Sequence, residues 1–278
     1  MDNNFKLRYR KNLELMEDSL SQLIYSSQVN YQLSKDYTNI GKMLLSIWYD
    51  HRETIQSDGL RQAFLYNLPN IKNMIPSSRF YVDNGTMFFD TEIITLHNHE
   101  VFCDCGALDM GTSIEFIFIV NNKYKKIYAF EPDPICYEIC KNNISLFCKG
   151  ENHRISLYDF GLDEINGSRP FQINKSLGNS NIVNNSINSI KVRKLDSIPE
   201  CKDITFFKIH TEGSELSVLK GSSELIRKTK PTIAVSIYHN LEELLTIPCL
   251  LKELVPEYNL YMRHYSTGVS ESVLYAVL

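Results

Sequence analysis

Nothing in the 278 residues approaches the ~20 consecutive apolar positions of a membrane span, so neither a transmembrane segment nor a membrane partner is expected. The first residues, MDNNFKLRYRKN, are basic without the apolar block of a secretory leader, and a cytoplasmic location is expected. No sign of charge prevails. The 29 Lys and Arg against 33 Asp and Glu leave a net charge of −4, which gives a nucleic-acid partner no general attraction. The seven cysteines contain no C-x-x-C. Cys103 and Cys105 alternate as on a strand, and Cys136 and Cys140 lie one helical turn apart, so neither a metal site nor a redox pair is predicted. Free, buried thiols in a reducing compartment fit better. Repeats and low-complexity tracts are lacking too. The length allows one large domain, or one domain with an extension.

What is present is organised around VFCDCGALDMGTSIEFIFIVNNKYKKIYAFEPD, from Val101 to Asp133. A short apolar strand ends on Asp104. A turn bearing Gly106 and Gly111 follows, and Thr112 or Ser113 is placed to cap a helix with its hydroxyl. Ser113 to Val120 is apolar enough to be buried on a sheet, and a second strand, Ile127 to Phe130, stops on Glu131-Pro132-Asp133. This is the first half of a nucleotide-binding βαβ unit, with the acid roughly 20 residues past the glycines, where it can bond ribose hydroxyls. The full G-x-G-x-x-G spacing that brings a backbone close to a pyrophosphate is missing. A ligand with a ribose and no phosphate relaxes that demand, which favours S-adenosylmethionine over NAD.

Residues 1–96 read differently. Leu13, Met16, Leu20, Leu23 and Ile24 recur at helical spacing and predict one amphipathic helix, and Tyr31 to Tyr49 predicts a second. Turns are predicted near Asp58-Gly59 and Pro69-Asn70. This segment is expected to be a helical lid or extension, or equally a homodimerisation element. Beyond the landmark, Pro134 opens a helix whose inner face is read as Ile135, Ile139 and Ile144. His153 to Asp159 is a third strand. Asp159 at its end is placed either to accept a bond from an adenine amino group or to cap the next turn. Residues 160–200 predict a hairpin-like insertion with a polar loop at 175–188. A fourth strand, Ile204 to Ile209, precedes a helix from Ser214 carrying Leu216, Leu219, Leu225 and Ile226, and Pro231 ends it. Thr232 to Tyr238, a helix over Leu241 to Leu254, Asn259 to Met262 and Ser272 to Val277 complete an open, mostly parallel sheet.

In such sheets ligands sit outside the carboxyl ends of the strands. Those ends are Asp104, Glu131, Asp159, His210 with Glu212, His239 and His264, and three of the seven histidines fall among them. They can supply a general base, orient a substrate hydroxyl or hold a metal, the metal being the weakest option because strand-end positions fix no ligand geometry.

The segments EVFCDCGALDMGTS, YAFEPDP, FFKIHTEGSELSVLKG and SIYHN…LYMRHYS…ESVLYAV resemble the FkbM family of S-adenosylmethionine-dependent methyltransferases, over roughly residues 86 to 278. The resemblance implies an α/β, Rossmann-like class I methyltransferase fold: a seven-stranded, mostly parallel sheet with the last strand antiparallel and helices on both faces. It also implies a methyltransferase domain over 97–278 and O-methylation of a sugar, glycan or natural product. Asp104, Gly106 and Ala107 look like the first cofactor motif, Glu131 with Pro132 and Asp133 like the ribose-binding acid, and Glu212, Gly213 and Glu215 like the acidic motif after the fourth strand. Cofactor-binding residues are therefore expected at Asp104, Gly106, Ala107, Glu131, Pro132, Asp159 and His210, with His210, His239 and Glu212 as the catalytic set. Two positions depart from the family pattern. Met110 stands where a glycine is usual, and His210 where an aspartate is usual. They favour a second reading, a catalytically degenerate member acting as a cofactor-binding or interaction module.

Overall fold

A computed structural model describes residues 3–50, 87–148, 150, 152–173, 180–266 and 268–278. The turns predicted near Asp58-Gly59 and Pro69-Asn70 lie outside the described residues. Three helices open the chain: α1 (Asn3–Glu14), α2 (Ser19–Ser34) and α3 (Thr38–Asp50). Next come β1 (Val101–Cys105), α4 (Gly111–Ile119), β2 (Lys126–Phe130), α5 (Pro134–Phe147) and β3 (Ile155–Tyr158). Four short strands follow, β4 (Gly161–Leu162), β5 (Gly167–Gln172), β6 (Asn181–Ile182) and β7 (Ser189–Arg193). The chain ends with β8 (Phe206–Ile209), α6 (Glu215–Lys220), α7 (Ser223–Thr229), β9 (Thr232–Ser236), α8 (Leu241–Leu254), β10 (Asn259–His264) and β11 (Ser272–Val277).

Seven strands make the central sheet, in the order β10-β11-β9-β8-β1-β2-β3, and β4-β7-β5-β6 make a small second sheet. The pairs β3–β2, β2–β1, β1–β8 and β8–β9 are parallel, and β10–β11 is antiparallel. From β1 the chain adds β2 and β3 on one side, then β8 and β9 on the other, so strand order reverses between β1 and β8. That reversal leaves a crevice at the carboxyl ends of these two strands.

The chain divides into two compact units, Met1–Ile94 with Ser236–Val277, and Thr95–Val235 with Leu278. In the first, the leading amphipathic segment is two helices, not the single helix its periodicity predicts. Met16 leaves the helix to bridge Leu260, and the Asp18 carboxylate caps α2 by accepting from Ser21 N–H at 2.7 Å. A capping carboxylate satisfies an N–H that the first turn cannot, so a helix restarts there despite the unbroken apolar spacing. Lys35, at φ 54°, ends α2 inside the stretch read as one helix from Tyr31 to Tyr49. The Asp18 carboxylate also holds the buried Arg263 guanidinium at 2.8 Å.

In the second unit, β1 and β8 are buried at every position. Four local expectations fail there. Neither Thr112 nor Ser113 caps α4; Met110 occupies the cap position, and the Ser113 hydroxyl turns inward to Asp104. Only Ser113 and Phe116 of α4 are buried, and Phe118 is 73% exposed, so the helix lies on the sheet by one narrow stripe. The inner face of α5 is Cys136 and Cys140, with Ile135 turned to solvent. Asp133 caps this helix through Ile135 N–H at 2.8 Å, which fixes the rotation that puts the cysteines inward. The helix predicted from Ser214 breaks at Gly221, where a Cβ would lie 2.0 Å from the Asp163 carbonyl oxygen.

Candidate functional site

The carboxyl ends of β1 and β8 meet at Gly106. Its φ is +79°, and a Cβ there would stand 1.9 Å from the His210 carbonyl oxygen. Only glycine permits both the left-handed backbone and that approach. The N–H groups of Gly106 and Ala107 both donate to the Phe130 carbonyl, at 3.0 and 3.1 Å, and so fold the loop over the end of β2. Leu108 and Met110 also take positive φ, 55° and 69°. Met110 therefore keeps the left-handed conformation a glycine would adopt, with its side chain fully buried. Gly111 is simply the first helical residue.

Beneath the loop lies a buried ion pair that the sequence reading did not include. The Lys208 ammonium donates to Asp104 Oδ1 at 2.8 Å and to the Gly106 carbonyl at 2.6 Å, and the Ser113 hydroxyl donates to Asp104 Oδ2 at 2.6 Å. Asp104 is thus an anchor of the loop. It and Ala107 are buried below the cleft and do not line it. A lysine in the otherwise apolar run FFKI was a legible signal, because a buried ammonium requires an acid partner.

A cleft of about 740 Å³, counting the solvent at its mouth, opens above these strand ends. Glu131 stands in its wall. Its two oxygens accept from Leu108 N–H at 2.8 Å and Asp133 N–H at 2.9 Å, which fixes the carboxylate while leaving lone pairs for a ligand. Burial pushes the Glu131 carboxyl up to about 7, against the opposing pull of these two N–H bonds and of the Lys208 cation. Pro132 and Asp133 line the cleft beside it.

On the other side of Gly106, His210, Thr211, Glu212 and Ser214 line the same cleft. His210 Nε2 lies 3.2 Å from Glu212 Oε1. The buried Glu215 holds this loop, accepting from Thr211 N–H at 2.7 Å and Gly213 N–H at 3.0 Å. Glu212 and Gly213 are thereby kept at φ 55° and 98°. The Thr211 hydroxyl is buried without a hydrogen-bond partner, the kind of group a bound ligand satisfies.

The third wall comes from the small sheet. Leu162, Phe171, Ile182 and Ile190 face the cleft, and Phe171, Ile190 and Val192 form an apolar cluster against which Ile182 packs. Nothing in the alternation of residues 160–200 announced this placement.

Of the remaining sequence candidates, Asp159 is exposed and lies outside the cleft lining. His239 follows β9 in the first unit, its ring 4.1 Å from that of Tyr238. His264 is buried in that unit, where its ring nitrogens pair with the Ser272 hydroxyl at 2.7 Å and the Gly268 carbonyl at 3.0 Å. Burial pushes its pKa down to about 4 and keeps it neutral. All seven cysteines are free, and six of them are buried. No described helix is long and apolar enough to cross a membrane.

The family model of the methyltransferase FkbM domain matches residues 104–266. Among solved structures, a methyltransferase FkbM from Methylobacillus flagellatus KT aligns with a TM-score of 0.71 and 22% identity, covering 99% of this chain and 59% of that one. The chain thus spans little more than half of that relative's length. A precorrin-6y C5,15-methyltransferase from Geobacter metallireducens GS-15 aligns at TM-score 0.40 and 17% identity, covering 66% of this chain and 81% of that one. Aeropyrum pernix fibrillarin, in complex with natively bound S-adenosyl-L-methionine, aligns at 0.40 and 10%, covering 66% and 70%. No curated protein matches the sequence.

Proposed function

The chain belongs to the FkbM methyltransferase family, and from that premise we propose that the cleft binds S-adenosylmethionine and directs its methyl group to a hydroxyl oxygen of a small-molecule or carbohydrate acceptor. The observation that carries this reading is the Glu131 carboxylate, fixed by two backbone N–H groups at the cleft wall with lone pairs left to accept two ribose hydroxyls. The glycine-cradled loop at Gly106 and the unpartnered Thr211 hydroxyl fit the ligand's polar amino-acid end. When bound, S-adenosylmethionine supplies a methyl group on a cationic sulfur, whose C–S bond breaks as the C–O bond to the acceptor forms.

The acceptor hydroxyl must lose its proton as it attacks. His210 is the base we assign, with Glu212 orienting it. If Nε2 carries the hydrogen and donates to Glu212, Nδ1 holds the lone pair that takes the proton. A positioned base contributes about 10²–10⁴-fold to turnover. His239 is the second candidate base.

Calorimetry with S-adenosylhomocysteine tests the reading. The wild type binds it, and Glu131→Ala weakens binding 10-fold or more, as expected for about 1.4 kcal/mol or more of hydrogen bonding to a charged group. An unchanged affinity in that variant removes the ribose role. His210→Ala is expected to lower turnover on an acceptor about 10²-fold, more than it lowers this affinity. Turnover lost in His239→Ala instead moves the base there.

A further inference from the structure

α4 and α5 each connect a strand to its parallel neighbour, β1 to β2 and β2 to β3. Right-handed crossovers put both helices on one face of the sheet. Each runs back from the carboxyl ends of the strands, so each ends at the edge opposite the cleft. There the apolar character of the chain stays outside. Of the run IEFIFI in α4 only Phe116 is buried, and the last two residues, Phe118 and Ile119, are exposed. α5 ends the same way, on Leu146 and Phe147, each 61% exposed. Singly exposed apolar side chains are ordinary, but four at the same end of two neighbouring helices, rimmed by polar groups, mark a contact surface.

The rim is basic. Phe118 to Lys126 and Lys141 to Ile155 together hold six Lys and Arg and one acid, in a chain whose net charge is −4. The loops after the two helices are tied together. The Arg154 guanidinium donates to the Tyr124 carbonyl at 2.6 Å and lies 3.9 Å over the Tyr124 ring, and Lys126 Nζ donates to the His153 carbonyl at 3.1 Å. Lys123 and Lys125 are exposed. Asp203 stands 4.0 Å from Lys125, and Glu138 holds Lys141 at 3.0 Å. Exposed pairs such as these are weak and leave the local excess of positive charge in place.

We propose that this end of the second unit docks on an anionic lipid bilayer. The lysines meet the headgroups, while Phe118, Ile119, Leu146 and Phe147 enter the boundary between headgroups and acyl chains. The lack of a spanning run excludes an integral segment and has no bearing on such a surface contact. A second copy fits less well, because an isologous contact would set lysines against lysines. A protein partner needs about 800 Å² of matched surface per side, more than four side-chain tips supply. Nucleic acid would match the lysines and leave the aliphatic Ile119 and Leu146 unused. The cleft lies at the other edge of the sheet, so docking does not depend on what the cleft binds.

Sedimentation of the full chain with phosphatidylcholine vesicles carrying about 30% phosphatidylserine tests the proposal. The wild type is expected to bind them, and to bind pure phosphatidylcholine vesicles about tenfold more weakly or worse. Raising the salt from about 0.05 to 0.5 M should release it. Phe118→Ser and Lys123→Glu/Lys125→Glu should each weaken binding about tenfold or more. The melting temperature of each variant is recorded, and Leu146→Ser replaces Phe118→Ser if the latter fails to fold. Wild type that stays in solution with the anionic vesicles overturns the proposal, and so does full binding by the serine variant. Ultracentrifugation and titration with polyuridylate run in parallel. A dimer that the serine variant abolishes assigns the surface to a second copy, and RNA bound in place of vesicles assigns it to nucleic acid; either result overturns the proposal.

Discussion

Glu131 carries more of the chemistry than its place in an E-P-D tripeptide suggests, because burial raises its pKa to about 7 from a usual 4.5. In the proposed complex a ribose hydroxyl would donate to the ionised carboxylate, which makes the protonated form the poorer host. Affinity for S-adenosylhomocysteine is therefore expected to rise about tenfold per pH unit below 7 and to level off above it. Calorimetry from pH 5.5 to 8.5 checks this, and Glu131→Gln should flatten the profile. The ligand-free protein should show the opposite slope. Between pH 4.5 and 7 the folded state keeps a proton that the unfolded chain has released, so this group's stabilising contribution falls as pH rises through that window. Lys208 acts by position. Lys208→Met would leave Asp104, fully buried, with Ser113 as its remaining side-chain partner. Urea unfolding should show a loss of about 3–5 kcal/mol, much of it recovered in Asp104→Asn/Lys208→Met. The acids at the strand ends were visible in the sequence as types at positions. Their surroundings were not, because Glu131 is desolvated by burial and Asp104 is paired with a lysine 104 residues further along the chain.

At the scale of elements, period and punctuation found β1, β2, β9, α8 and β11 within two residues of their ends, since each is bounded by a glycine, proline or capping asparagine or lies in an unbroken apolar run. What periodicity missed were the interruptions. Asp18 restarts a helix, Lys35 ends one, and Gly221 breaks another, each inside a run whose apolar spacing never falters. The first two are decided by local capping, with Asp18 accepting from Ser21 N–H and Lys35 N–H donating to the Tyr31 carbonyl, and the third by a close backbone approach to Asp163, far along the chain. The β1–β8 junction is another close backbone approach, at the floor of the cleft proposed to hold the cofactor. Gly106→Ala would press a Cβ into the His210 carbonyl and strain a φ of +79°. The left-handed backbone alone costs roughly 1–2 kcal/mol, and the clash adds to that. Thermal melts should show a destabilised protein, and added S-adenosylhomocysteine should no longer raise the melting temperature. A variant that melts like the wild type and still responds to ligand would mean that the two loops can part without consequence.

For the molecule as a whole, the sequence separates a helical first segment from a parallel βα series, and the fold adds a return. The chain's last elements, α8, β10 and β11, complete the unit that the first helices begin. Asn12 on α1 is buried there, and its amide bonds partners on two other helices. Nδ2 donates to the Tyr25 hydroxyl at 3.0 Å and the Leu245 carbonyl at 2.9 Å, and Oδ1 accepts from the Cys249 thiol at 2.8 Å. Gln28 on α2 likewise donates to the Ser272 hydroxyl at 2.8 Å, and Ser272 in turn bonds the buried His264. A segment that only covered a site from outside would have no reason to bury amides against α8 and β11. Leaving a buried polar group unsatisfied costs about 1–3 kcal/mol, so Asn12→Ala, which strips partners from a hydroxyl, a carbonyl and a thiol, should lose about 3 kcal/mol in urea unfolding with an unchanged m-value. If α1 is dispensable packing instead, the loss stays below about 0.5 kcal/mol, the range of an ordinary surface substitution.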